Sequence, residues 1–473
     1  MNRRLSTVNR KLALITIITG FALMICCVFA SIRVFSYIAV AAFVIYFIYL
    51  GRKDPSIYAK YLAYVFMMFA AVAGTIVSEF SNIYLFELEA YAHFVGSLPL
   101  LLFSYWILFV VFLSFEKRGN VQIRETDTRY VDRRYIRFID VLTGITTVIY
   151  LIMFLSVIRH AAFILGIDRF IYSSQYESNK IIAILTNLSG NFLLFPLLSI
   201  LYGKKWLGWT SLGFYFLYFL WTGNKFGPFF TVLCIFCLIY YVRLKNKGLS
   251  FSKKVLRRIA IVFAVLIVST VAISIMMGET GGNYLLKRTA AQGQEWWKTY
   301  EICKGTMHPQ EFGSEIDAIL NGNKGAAVNI ASKNGIYRIM HLTAPASRVN
   351  FKLSTGSVYT EAGFASAYYY FGVFGNILFS IVMGIIIAGT LNGFIRALNS
   401  QDIIKMLILL RLFQLERTAM SMFLFYDLFD PISILSYVLL LVSYGKNFAI
   451  VFDKGKVGVK LIKRGTVNCS GGY

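Results

Sequence analysis

Charged residues are scarce in this chain of 473 residues. Asp, Glu, Lys and Arg make up 15% of it, against about a quarter of an ordinary soluble domain. Hydrophobic residues make up 58%, and the mean hydropathy is +0.65. This balance excludes a soluble globular protein and indicates a chain that lies mostly within a membrane.

Cysteine and histidine are also scarce, with six and four residues. The Cys-x-x-Cys spacing of Cys234 and Cys237 lies in an apolar run without a nearby His, so packing is the favoured interpretation. His93 and His308 have no ligand-like spacing. We therefore expect no disulfide framework, no metal and no cofactor.

Long hydrophobic runs, by contrast, are abundant. Crossing the hydrocarbon takes about 20 apolar residues, and twelve such segments predict an all-α polytopic integral membrane protein. The segments lie at 12–32, 34–50, 61–80, 94–114, 139–158, 181–202, 206–222, 226–242, 259–277, 357–394, 406–426 and 431–445. The tenth is over-long and is expected to begin with an interfacial or re-entrant piece. The first run is long and ends without a small-residue cleavage site, so it is not expected to be a cleavable signal peptide.

The net charge of +24 comes from Lys and Arg residues that are distributed along the chain as in a membrane protein. With the N-terminus taken as cytoplasmic, alternate loops on the cytoplasmic side hold 31 of the 47 Lys and Arg residues. The positive-inside rule then predicts a multi-pass protein with both termini in the cytoplasm. Basic runs would contact anionic membrane lipids, and nucleic acid is not expected as a partner.

One long polar insert, 278–356, divides the chain. It separates nine predicted spans in 1–277 from three in 357–445, which a basic cytoplasmic tail at 446–473 follows. Within the insert we predict helices over 288–302, from a capping box at Ser314 and Asp317 to about residue 321, and over 329–342. The topology places the insert outside as a cap of short helices on the outer surface.

Candidate binding residues are cations near the predicted outer face. Lys225 precedes Pro228 at the start of the eighth span, where it could complete an anion site at a helix N-terminus or simply snorkel. Arg417 lies near the middle of the eleventh span with Arg411 and Glu416, either in an internal salt bridge or on the wall of a wet cavity. Glu416 and Arg417 are sequence neighbours and should point about 100° apart.

The end of the insert offers further candidates. Arg338, His341 and Arg348 suit a diphosphate, because arginine binds phosphate oxygens in bidentate fashion; ordinary surface charge is the alternative. Glu361 could act as a general base, with Asp427 and Asp430 as alternatives, or each could cap a helix or pair with an Arg. Trp296 and Trp297 could stack on sugars, although anchoring is slightly favoured.

Two segments resemble a known family. Glu361-Ala-Gly-Phe-Ala-Ser-Ala-Tyr-Tyr-Tyr-Phe-Gly372-Val-Phe-Gly375, followed by an apolar span with Gly384 and Gly389, is similar to the late segment of bacterial O-antigen and capsule repeat-unit polymerases of the Wzy type. Trp221-Thr-Gly-Asn-Lys225-Phe-Gly is similar to another part of them, and the spans and large external loop match their architecture. The paired Arg-x(10)-Gly and Arg-x(15)-Gly patterns of some members are absent, since Arg348 to Gly363 is one residue short.

The resemblance implies a GT-C-like glycosyltransferase in the bacterial cytoplasmic (inner) membrane. It would join undecaprenyl-pyrophosphate-linked oligosaccharide repeats into surface polysaccharide without a metal. Pyrophosphate would bind Lys225, Arg338, Arg348 and Arg417, the glycan would bind Trp296 and Trp297, and Glu361 or His341 would be the base. A chain-length regulator and a flippase of the same pathway are implied partners.

Two other functions stay open. A lipid-linked oligosaccharide flippase would have a similar number of spans, but the unlike halves of the chain and the large insert disfavour it. An O-antigen ligase would share both the topology and the pyrophosphate chemistry.

Overall fold

The structure is a computed structural model, which describes residues 2–118, 133–165, 172, 180–224, 227–246, 281–321, 334–355, 357–444, 446–453 and 456–463. Helices dominate these residues. Eight are long and apolar enough to cross a membrane, which confirms an all-α membrane protein.

The helices before the insert follow the apolar runs. Their bounds are α1 Asn2–Val28, α2 Arg33–Lys53, α3 Ser56–Lys60, α4 Leu62–Phe80, α5 Leu98–Arg118, α6 Arg133–Val157, α7 Ala162–Leu165, α8 Lys180–Phe192, α9 Leu194–Tyr202, α10 Lys205–Trp221 and α11 Gly227–Asn246. A two-stranded hairpin, β1 Tyr84–Leu85 and β2 Ala90–Tyr91, joins α4 to α5. We call residues 81–97 the α4–α5 hairpin.

The insert and the C-terminal part are also mainly helical. Their helices are α12 Gly281–Ala290, α13 Gln294–Ile302, α14 Gly313–Asn321, α15 Gly335–Thr343, α16 Ala346–Ser354, α17 Gly363–Asn399, α18 Ile403–Met422 and α19 Pro431–Val442. Single 3-10 turns at Pro309–Phe312 and Tyr426–Phe429 precede α14 and α19.

Eleven of the twelve predicted segments coincide with these helices, and 259–277 lies outside the described residues. Three of these eleven segments form helices that are too short or too highly charged to count among the eight candidate spans. Helix α10 has 17 residues, α19 has 12, and α18 contains four charged residues in its 20.

Glycine and proline divide two of the long apolar runs. The break between α8 and α9 lies just before Pro196, which has no amide hydrogen to bond the carbonyl of Phe192. Helix α17 kinks at Gly372, whose φ of 60° and ψ of −144° are not helical. The over-long tenth segment therefore consists of a short first helix and a long second one.

The C-terminal residues are not simply a basic tail. Strands β3 Lys446–Asp453 and β4 Lys456–Lys463 pair in an antiparallel hairpin. The Asp402 carboxylate caps α18 by accepting the Lys405 amide at 3.0 Å, and it also accepts the amide of Phe448 at 2.8 Å. One carboxylate thus ties the hairpin to the start of α18.

The insert forms a cap of short helices, but three details differ from the prediction. The helix expected over 288–302 is two helices, α12 and α13, joined by a turn. Helix α14 begins at Gly313, so Ser314 lies inside it and bonds the Glu311 carbonyl at 2.8 Å instead of forming a capping box. Helix α16 was not predicted.

The cap does more than lie on a surface, because it is wedged against α4. An added Cβ at Gly74 would overlap backbone of Thr289 and Gly293, and one at Gly293 would overlap the amide of Thr75. Gly74 is six residues before the end of α4, about 9 Å along its axis. Only glycine allows this approach of the two backbones. The side of the bundle that carries the cap is called the cap face below.

Replacing Gly293 by Val should loosen the cap. The side chain would collide with backbone that cannot rotate away, and overpacking of this kind costs about 1–3 kcal/mol or more. We expect faster hydrogen exchange over 281–302 in the full-length protein. Gly144→Val on α6 is the matched control, since none of the residues that the structure describes lies within 4 Å of a Cβ there. Equal exchange in the two variants would contradict the wedge.

Candidate functional site

Several candidate segments meet at the cap-face end of α18. A Cβ at Gly335, the first residue of α15, would lie 2.8 Å from the Phe423 carbonyl oxygen, and one at Gly363 would overlap that of Met420. Phe423 ends α18 in the left-handed conformation, with a φ of 57°. The start of α15 and the Glu361–Gly363 turn are therefore packed on the last turn of α18. We call this meeting point the α18 junction.

Arg417 lies one helical turn before Met420 on α18. Its guanidinium donates to the hydroxyl of Thr231 at 3.5 Å. Its charge also interacts electrostatically with the side chains of Tyr64 and Tyr215. Within the described residues it forms no ion pair. It is about 7–8 Å from the end of its helix, and thus nearer the cap-face end of α18 than its other end.

Two other charged residues of α18, Arg411 and Glu416, have partners elsewhere. Arg411 forms an ion pair of 2.6 Å with Asp430, which also caps α19. Glu416 accepts a hydrogen bond from Thr390. The predicted divergence of Glu416 and Arg417 is confirmed, and Asp430 serves as a cap and an ion-pair partner rather than as a free base.

Glu361 has an unusual backbone and an unusual carboxyl group. Its φ is 60°, a conformation that non-glycine residues adopt rarely and at a cost. Its side chain is partly buried, and none of the described residues forms a hydrogen bond with it. Withdrawal from water raises the pKa of the carboxyl to about 8, close to the working range of a general base.

Arg338 lies three residues after Gly335 and is matched by a carboxylate. It forms an ion pair with Glu311, donates to the Ser314 hydroxyl at 3.1 Å, and lies 5.8 Å above the Tyr369 ring. A phosphate could bind this guanidinium only in competition with Glu311.

Arg348 is engaged away from the junction. Its Nε donates to Glu89 of the α4–α5 hairpin at 2.7 Å, and its guanidinium lies 3.8 Å above the ring of Phe86. Arg338 and Arg348 therefore belong to different clusters in this structure, and the sequence pattern that grouped them was misleading.

Of the remaining candidates, the structure describes His341 but not Lys225. His341 is exposed, and no hydrogen bond or ion pair to it occurs among the described residues. Lys225 lies outside the described residues. It precedes α11, and Thr231 of α11 contacts Arg417. Thr231 is a polar partner that the sequence analysis did not single out. The described residues include no group of three metal-binding side chains.

Trp296 and Trp297 are core residues of the cap rather than an open sugar platform. Their side chains are 1% and 0% exposed, and their indole N–H groups donate to the carbonyls of Ser97 at 3.1 Å and His93 at 2.8 Å. These bonds fix α13 to the α4–α5 hairpin. This burial differs from both roles considered for the pair, stacking on sugars and anchoring at a membrane interface.

Two buried carboxyl groups that the sequence did not single out hold α15 in place. Glu315 accepts the Gly335 amide and the Tyr370 hydroxyl, each at 2.6 Å, and burial raises its pKa to about 7. Glu295 accepts the Thr343 hydroxyl at 2.7 Å, and burial raises its pKa to about 8. Both ends of α15 are thus bonded to other cap helices.

A family of unknown function, DUF6418, matches residues 330–438. The match runs from just before α15 into α19 and includes Arg338, His341, Arg348, Glu361 and Arg417. It therefore covers the whole α18 junction but only part of the chain. No curated protein and no solved structure matches this chain.

Proposed function

We propose that this protein joins lipid-linked oligosaccharide repeats into a surface polysaccharide, as a polymerase at the outer face of the bacterial cytoplasmic membrane. In this proposal the cap face is the outer face. The substrates are undecaprenyl-pyrophosphate-linked glycans, and their leaving group is delivered at the level of the lipid headgroups.

One observation carries the proposal. Arg417 is a cation on α18, a helix of a predicted span, that has no carboxylate partner within the described residues, and it lies one turn from the segment that positions Glu361. A charge inside a span is costly unless something compensates it, and such residues commonly mark substrate sites. A pyrophosphate is a suitable compensating anion because Arg can bind two of its oxygens.

The chemistry requires one cation and one base. The bond between the sugar anomeric carbon and the pyrophosphate oxygen breaks, and a bond from that carbon to an acceptor hydroxyl oxygen forms. Glu361 takes the hydroxyl proton, and undecaprenyl pyrophosphate leaves with the charge that Arg417 stabilises. Arg338 would join only after exchanging Glu311 for phosphate.

Deletion of the gene in the source bacterium tests the proposal. We expect the surface glycan to shrink from long chains to single repeat units, as resolved by gel electrophoresis, and a plasmid copy to restore the long chains. Complete loss of surface glycan would point to a flippase. Full-length chains left on undecaprenyl pyrophosphate would point to a ligase. Either result would overturn the proposed polymerase.

A further inference from the structure

A cavity of about 400 Å³ lies between the cap and the α4–α5 hairpin. This volume is within the range of small-molecule sites, roughly 300–1,000 Å³. Helix α12 and the start of α13 form one wall, and α16 and the hairpin form the others. The cavity is separate from Arg417 and from the Glu361 turn, none of whose residues line it.

Charge is unevenly distributed around this cavity. Among the described residues, its lining has three cations, Lys287, Arg288 and Lys352, and one carboxylate, Glu87. Glu87 is held by Lys352 at 2.6 Å and by the Gln294 amide at 2.5 Å. The lining therefore has a net positive charge, and Lys287 and Arg288 are both exposed on the last turn of α12. This is the electrostatic setting for an anionic ligand.

Aromatic rings form the hairpin side of the same cavity. The side chains of Tyr84 and Phe86 are 41% and 56% exposed although they belong to its lining. Tyr84 packs against Tyr91, with ring centroids 5.1 Å apart, and Arg348 covers Phe86. These contacts fix the rings in place before any ligand arrives, so binding would cost little side-chain entropy.

We propose that this cavity binds an acidic sugar residue of the glycan. A pyranose ring has a C–H face that suits an aromatic wall, and a carboxylate on that ring would meet Lys287 and Arg288. The inference rests on the proposed function for its choice of a glycan, and it adds that the repeat unit contains a carboxylate-bearing sugar. It also moves glycan recognition from Trp296 and Trp297 to the hairpin.

Binding by the full-length protein in phosphatidylcholine nanodiscs tests this site without any transfer reaction. The probes are tetragalacturonate and its methyl ester, two α-1,4-linked tetramers of the same sugar that differ in charge. We expect the acidic tetramer to bind at least about tenfold more tightly. The double variant Lys287→Gln/Arg288→Gln should lose this preference, and Tyr84→Ala should weaken both tetramers. Lys304→Gln removes an exposed charge of the same cap outside the cavity and should change neither.

Three results would overturn the inference. Equal affinity for the two tetramers would show that the cavity does not select an acidic sugar. Equal losses of affinity in the double variant and in Lys304→Gln would show that the ligand does not bind at Lys287 and Arg288. Loss of tetragalacturonate binding in phosphatidylglycerol nanodiscs would indicate that the cations bind anionic lipid headgroups instead of the glycan. If gene deletion leaves chain length intact while the acidic tetramer still binds as expected, the polymerase proposal fails and the binding site stands.

Discussion

Replacing Glu361 by Gln is expected to slow chain elongation by about 100- to 10,000-fold, the usual contribution of a general base. The wild-type rate should rise with pH and level off above about 8, because only the deprotonated carboxylate accepts a proton and its pKa is raised to about 8. The residual rate of the Gln variant should not follow this profile. The measurement is the length distribution formed by the purified protein from its lipid-linked repeat at pH 6–9.

Stability gives an independent readout for the same variant. The pKa of Glu361 is raised above its ordinary value of 4.5, so the wild type loses stability as pH rises from that value through about 8. The Gln variant lacks this loss and should melt at a temperature equal to or above that of the wild type at pH 9.

Asp317→Asn alters an exposed cap carboxylate and should keep the wild-type rate. A wild-type rate independent of pH would exclude Glu361 as the base.

Arg417→Ala should reduce elongation by about 100- to 1,000-fold, as expected when one preorganised group that stabilises developing charge is removed. Affinity for undecaprenyl pyrophosphate, measured in nanodiscs, should fall more than affinity for undecaprenyl phosphate. Arg417→Lys should retain part of the activity, because it keeps the charge but loses the planar fork that binds two oxygens.

Two other arginines provide controls for this result. Arg396 is exposed on the last turn of α17, the end opposite the junction, and Arg396→Ala should leave elongation unchanged. Arg411→Ala breaks the ion pair with Asp430, so we expect lower thermal stability but normal pyrophosphate affinity in the folded fraction. Normal elongation by Arg417→Ala would exclude a role for this residue in the reaction.

Most helices could be predicted from the sequence because membrane insertion imposes a local rule. A span needs a continuous apolar run, and glycine or proline can interrupt it, so both the helices and the division at Gly372 can be recognised within a short window. The separation of Glu416 from Arg417 is equally local, since it depends only on the helical repeat.

The pairing of the cap arginines could not be predicted in this way. Arg348 meets Glu89, a residue 259 positions away, and no periodicity within the cap indicates that contact. Trp296 and Trp297 have the composition of a sugar platform, and only the fold of the α4–α5 hairpin over them decides that they are buried. The cavity at Lys287 and Arg288 likewise depends on walls from distant segments, and the two adjacent cations are the part of it that is visible in the sequence.

Helix α18 is held at both ends. Asp402 joins its first turn to the C-terminal hairpin, and its last turn is packed against Gly335 and Gly363. A helix fixed in this way cannot tilt to admit a lipid chain without disrupting both attachments. Among the described residues, the hydrogen bond that joins α11 to Arg417 is the long one of 3.5 Å from Thr231, and its loss would cost less free energy than the two attachments of α18. If the protein acts on lipid-linked glycans as proposed, the lipid chain should therefore enter sideways between α11 and α18, with α18 staying in place.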